Sequence, residues 1–130
     1  MTREELKAVA VAMLDRAYVP CSHFPVGAAL ECSDGTVFTG CNIENASYTP
    51  TICAERTAVS KAVSEGHRDF VRIVIAGRSK DFCVPCGVCR QVLREFAPEL
   101  EIICLNGAGE ERVFTLPELL PHSFGPEYLL

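Results

Sequence analysis

Two short segments of this 130-residue chain carry residue types that do chemistry together. Pro85-Cys86-Gly87-Val88-Cys89 contains a C-x-x-C, a spacing that lets two thiolates in one helical turn grip a single ion at about 2.3 Å. Cys53-Ala54-Glu55 sets a thiol and a carboxylate two positions apart. A structural zinc site is closed by four protein ligands, usually through a second C-x-x-C or a histidine pair. This chain has no separate second C-x-x-C and no histidine pair, and His23, His67 and His122 stand singly, as surface or loop residues do. Cys53, Cys86 and Cys89 therefore read as three ligands of one zinc ion with a fourth position open to water, the catalytic arrangement. Glu55 is then the proton carrier of a hydrolytic reaction. Three thiolates make the ion's surroundings anionic and weaken its hold on the acidity of water. Arg56 and the positive ends of two helices are the expected compensation.

Rival readings explain less. CGVC after a strand and at a helix start also fits a thioredoxin-like redox pair, whose pKa the helix dipole would lower. That reading leaves Cys53 and Glu55 without a role. Cys83, Cys86 and Cys89 form C-x-x-C-x-x-C, an iron–sulfur pattern, but the fourth position of that run is Leu93. Cys83 is expected to be a loop or core thiol. Eight cysteines in a secreted domain would imply a disulfide framework. The stretch Ala8 to Leu14 is too short and too closely flanked by Glu4, Glu5 and Asp15 for a signal or a membrane span, so a cytosolic chain is expected. Cys21, Cys32, Cys41 and Cys104 are scattered, as apolar filler cysteines are.

The elements that must position these residues can be read from periodicity. Thr2 and Glu5 form a capping box, and Leu6, Val9, Ala10, Met13 and Ala17 recur at helical spacing as far as Tyr18. Val26 to Cys32 and Thr36 to Gly40 are strand-like runs joined by Ser33-Asp34-Gly35, where Asp-Gly supplies the positive φ angles of a tight hairpin. Cys41 to Pro50 lacks either period and is expected to be a loop lining a pocket. Ala54, Ala58 and Ala62 with Val59 and Val63 are helical, and Gly66 sits where a C-terminal cap belongs. Phe70 to Ala76 is a strand, and a helix from near Cys86 stops before Pro98. Strands at Glu101 to Leu105 and Val113 to Thr115, a short helix at Pro117 to Leu120 and a tail ending in Tyr128-Leu129-Leu130 complete the chain.

This order predicts one α/β domain over residues 1–130, a three-layer α/β/α arrangement around one mixed five-stranded sheet. Two successive strand-helix-strand crossovers of one hand put the second and third helices side by side on one face. Both helices then begin at the same sheet edge, where Cys53 and Cys86 can meet. The 48% hydrophobic content supplies a core without a membrane span. A net charge of −5, with no Lys/Arg block, argues against nucleic acid and for a small substrate.

The segments Phe24-Pro25-Val26-Gly27-Ala28-Ala29-Leu30, Gly40-Cys41-Asn42-Ile43-Glu44-Asn45-Ala46-Ser47-Tyr48, Cys53-Ala54-Glu55-Arg56-Thr57-Ala58, Pro85-Cys86-Gly87-Val88-Cys89-Arg90-Gln91-Val92 and Glu118-Leu119-Leu120-Pro121, leading to Ser123-Phe124-Gly125-Pro126, span the chain. Together they resemble the homotetrameric cytidine deaminases of nucleoside salvage, and the C-A-E…P-C-G-V-C pattern is the Cys₃ variant of the zinc deaminases. The resemblance implies hydrolysis of cytidine and deoxycytidine to uridine, deoxyuridine and ammonia, with one zinc ion per subunit. It implies that Glu55 carries protons between water, the ring N3 and the departing amine, and that Arg56 hydrogen-bonds ligand sulfurs. Asn42 and Glu44 would take the ribose hydroxyls, Phe24 would lie along the base or sugar, and the Ala54 N–H would meet the base carbonyl. Phe124 and Tyr48 would reach a neighbouring subunit's pocket. Val84, Val88 and Cys83 depart from the family pattern, and none has a proposed catalytic role.

Overall fold

The computed structural model describes residues 1–129; Leu130, the end of the expected tail, lies outside the described residues. Its five strands are β1 (Val26–Cys32), β2 (Val37–Cys41), β3 (Phe70–Gly77), β4 (Glu101–Leu105) and β5 (Glu111–Thr115), and they form one sheet in the order β2-β1-β3-β4-β5. β3 and β4 run parallel while the other neighbours are antiparallel, so the sheet is mixed as expected.

The central strands β1, β3 and β4 are buried on both faces, with successive side chains pointing to opposite sides. Ala28, Leu30, Ile73, Ile75, Ile102 and Cys104 face one helical layer, made by α2 (Ala54–Ser64) and α3 (Gly87–Phe96). Ala29, Val74, Ala76, Ile103 and Leu105 face the other, where α1 (Arg3–Ala12) contributes Leu6 and Ala10. The three-layer arrangement follows, with α2 and α3 sharing a face.

The capping box of Thr2 and Glu5 is formed. The first helix is shorter than the periodicity implied: it tightens into a 3-10 turn at Met13–Arg16, and Tyr18 is extended, in a bridge with Ile43. Pairing with residue 43 fixes Tyr18 in a conformation a helix cannot supply. In the hairpin only Gly35 takes a positive φ, 89°, while Asp34 accepts a hydrogen bond from the Thr36 N–H at 3.0 Å. The turn thus needs one left-handed residue, as three-residue hairpin loops do. β5 begins two residues before the expected Val113, because its pairing with β4 continues to Leu105↔Glu111. The short helix, α4 (Leu116–Leu119), is capped by a box of Thr115 and Glu118.

Two local features place the start and end of α2. Gly40 lies under its first turn, where a Cβ would stand 2.2 Å from the Ala54 carbonyl oxygen and 2.7 Å from the Ala58 nitrogen. At the other end the Gly66 N–H bonds Val63 O at 3.0 Å and the His67 N–H bonds Ala62 O at 2.9 Å, a Schellman closure.

Candidate active site

Cys53 and Cys86 are the N-cap residues of α2 and α3, so two helix N-termini converge on their thiols. Cys89 follows within the first turn of α3 and is fully buried. The ligand atoms of Cys53, Cys86 and Cys89 lie within 4.8 Å of one another, and Cys53 Sγ is 3.8 Å from Cys86 Sγ. Tetrahedral sulfurs each about 2.3 Å from a zinc ion would stand about 3.8 Å apart, so the spacing fits that ion. The Cys86 sulfur also accepts the Cys89 backbone N–H at 3.5 Å, which fixes the C-x-x-C turn.

The donor set is prepared for a cation by its own electrostatics. Hydrogen bonding from Cys89, together with Arg56 and Cys86, pulls the Cys53 thiol down to about 5 despite its partial burial. Cys89 moves upward, through its hydrogen bond to Cys53 and then through burial. Arg56 Nη2 reaches Cys53 Sγ at 3.7 Å and the Thr51 carbonyl at 3.5 Å. This is the compensation expected for an anionic sulfur cluster. Cys83 is not in the cluster: it packs on the core against Gly77, and burial pushes its thiol up to about 12.

Glu55 is 4% exposed, one residue into α2, and burial raises its carboxyl to about 7, helped by the negative charge of Cys53. A carboxyl poised there can both take and give a proton near neutral pH. Ala54 is fully buried at the first helical position, where the backbone N–H has no partner within the helix.

The loop between β2 and Cys53 is held shut by two bonds between Ile43 and Ile52, each 3.0 Å, so Asn42 and Glu44 are drawn to the same end of the sheet as Cys53. The Asn42 amide donates to Phe24 O and accepts from the Val26 N–H, both at 2.8 Å. It thereby fixes the backbone that carries Phe24, whose ring is half exposed. Glu44 Oε1 accepts the N–H groups of Cys21 and Ser22 at 2.9 and 3.1 Å. Its carboxyl is held below the ordinary range, chiefly by the Ser22 hydroxyl. Glu44 lines a cavity of about 350 Å³ with Tyr18, Pro20, Cys21, Asn45, Ala46 and Tyr48. Tyr48 is 74% exposed and takes a φ of 63°, one of three non-glycine residues with positive φ among the described residues. Phe124 lies on the C-terminal segment, 54% exposed, stacked on Tyr128.

Sequence reasoning missed the residues that brace this site. Thr57 Oγ1 bonds the carbonyls of Cys41 and Cys53 at 3.1 and 3.2 Å, tying β2 to the metal-binding turn. Arg90 bonds Pro85 O and Leu119 O, both at 2.8 Å, tying the C-x-x-C turn to α4. Their place inside the two motifs was the available signal, but a hydrogen bond to a distant carbonyl has no periodic signature.

Three thiols at two helix N-termini, with a buried glutamate two residues after the first, form a donor set that fits a catalytic zinc ion. Residues 1–105 match the model of the cytidine and deoxycytidylate deaminase zinc-binding region. The chain is 48% identical over 128 residues to a cytidine deaminase of Halalkalibacterium halodurans, covering 98% of this chain and 97% of that protein. It is 45% identical over 130 residues to one from Sporosarcina psychrophila, covering 99% of this chain and 96% of that protein. The crystal structure of cytidine deaminase from Burkholderia pseudomallei superposes with a TM-score of 0.92 at 46% identity, covering 95% of this chain and all of that one. The chain belongs to the cytidine and deoxycytidylate deaminase family.

Proposed function

We propose that this chain hydrolyses cytidine and deoxycytidine to uridine and deoxyuridine with release of ammonia, as a cytosolic enzyme of pyrimidine salvage. In this reading residues 1–130 form one catalytic domain, and four copies assemble with composite sites. The observation that carries the proposal is the meeting of Cys53, Cys86 and Cys89 beside the buried Glu55 carboxyl.

Cys53, Cys86 and Cys89 hold one zinc ion per subunit. When bound, the ion is a Lewis acid that brings the acidity of a water molecule toward neutral pH. Glu55 accepts the proton of the attacking water and passes it to N3 of the cytosine ring. That transfer makes C4 electrophilic as the water oxygen bonds to it. Glu55 then relays the remaining water proton to the C4 amine. The C–N bond breaks, ammonia leaves and the C4 carbonyl of uridine forms, so that one water is consumed per ammonia released. Burial raises the Glu55 carboxyl, which favours its holding a proton between the two transfers.

The Ala54 N–H meets the base carbonyl, and Phe24 lies along the base or sugar. Asn42 and Glu44 take the ribose hydroxyls, because a carboxylate accepts well from a hydroxyl. The same charge repels a phosphate esterified there, which favours a free nucleoside over a nucleotide within a strand. Tyr48 and Phe124 complete a neighbouring subunit's pocket; their exposure in the isolated chain supports this placement. The test is ammonia release from cytidine, deoxycytidine, CMP and adenosine by the purified zinc-loaded protein. Turnover of the first two is expected, and inactivity on both would overturn the assignment.

A further inference from the structure

Phe124, the ring proposed to stack on the base, sits on a short segment between α4 and a 3-10 turn at Pro126–Tyr128. Side chains from one face of α3 hold that segment. Gln91 Nε2 donates to the Phe124 carbonyl at 2.8 Å. One turn on, Arg94 Nε donates to Ser123 Oγ at 2.7 Å and Arg94 Nη2 pairs with Glu127 Oε1 at 2.7 Å. Residues three apart on a helix share a face, so the two donors grip the segment before, at and after the aromatic residue. Gly125 rests directly on the guanidinium: a Cβ there would be 2.4 Å from Arg94 Nη1 and 2.3 Å from Glu127 Oε1. The Arg94 side chain is only 14% exposed, which sets it apart from a solvated surface cation.

We infer that Arg94 is a positioning residue for substrate binding, acting with Gln91 through Phe124. The inference rests on the reading of Phe124 as a stacking residue. A half-exposed ring on a short segment contributes to binding in proportion to how well it is held in place beforehand. The fork of one guanidinium, fixed by two acceptors, supplies that order. Its loss weakens binding of the base and leaves Glu55 and the metal ligands untouched.

The test compares wild type with Arg94→Met, Gln91→Glu, Phe124→Ala and the double variant Arg94→Met/Phe124→Ala. Steady-state kinetics on cytidine are read beside zinc content, melting temperature and assembly mass. Gln91→Glu is isosteric at an exposed position and turns a donor toward a carbonyl into an acceptor, so it serves if Arg94→Met folds poorly. The expected result is a KM raised by about tenfold in Phe124→Ala, somewhat less in the two mounting variants, the scale of losing a base–aromatic stack. Turnover number stays within about twofold, the pattern of lost binding without lost chemistry. Zinc content is unchanged, and the double variant is no worse than Phe124→Ala, because the two residues act as one unit. Unchanged KM in both mounting variants, with a raised KM in Phe124→Ala, overturns the inference and spares the stacking reading. Additive effects in the double variant overturn it too. An unchanged KM in Phe124→Ala itself overturns the stacking reading and the inference with it.

Discussion

Cys53 and Cys86 stand 33 positions apart in the chain, each occupies the N-cap position of its own helix, and their sulfurs are 3.8 Å apart. The contact joins two helices across the edge of the sheet, so whatever binds there is held by both.

Removing one sulfur should therefore remove the ion. Cys86→Ser is expected to lower zinc from about one per chain to a small fraction of that, because two thiolates leave the tetrahedron half built. Metal analysis after gel filtration checks it. Stripping zinc from the wild type with a chelator should also lower the melting temperature, since ligand binding stabilises the folded form. Full zinc occupancy in Cys86→Ser would remove Cys86 from the ligand set.

Glu55→Gln keeps the shape of the buried side chain and takes away its ability to carry a proton. Zinc content should stay near wild type while the turnover number falls by at least about a hundredfold, the scale of general acid–base catalysis. Fully retained turnover would sink the proton-carrier role.

Gly40→Ala tests the contact that sets α2 over β2. The added methyl would meet the Ala54 carbonyl oxygen at 2.2 Å, and both partners are backbone. Overpacking of this kind should cost about 1–3 kcal/mol, read as a lower urea midpoint. Weaker zinc retention should accompany it, since the displaced turn begins at Cys53. A midpoint indistinguishable from wild type would show that the turn can shift freely.

Acid should weaken one surface network in a defined direction. Glu111 is held below its ordinary value of 4.5, first by Lys7 and then by Arg3, which bond it at 2.9 and 3.2 Å. A carboxyl lowered in the folded state stabilises the protein above the unfolded value, and that contribution fades as pH falls through the folded value. Comparing urea midpoints of wild type and Glu111→Gln from pH 7 to pH 3 should show a wild-type advantage, under about 1 kcal/mol, that shrinks with acid. An advantage that grows with acid would contradict this sign.

Much of the site was legible because its parts announce themselves locally. The thiol before a helical run sits at an N-cap, as at Cys86, and a continuous β-branched run gives a strand buried on both faces, as at Ile73, Val74 and Ile75. Two same-handed crossovers were enough to argue that Cys53 and Cys86 begin helices at one edge. Tyr18 was misjudged because a bridge to Ile43 outweighs a helical period that stops at a 3-10 turn.

The sequence by itself determined which atoms could hold a metal and where the helices bearing them start, because ligand chemistry and capping depend on near neighbours in the chain. Tertiary structure alone decided that β1 lies between β2 and β3, that the three sulfurs close to within 4.8 Å, and that Glu55 is buried deeply enough to raise its carboxyl to about 7. It also decided that Arg94 grips the segment carrying Phe124. Distance, burial and the electrostatics that follow from them are sums over contacts between residues far apart in the chain, and those contacts exist only once the sheet order is set.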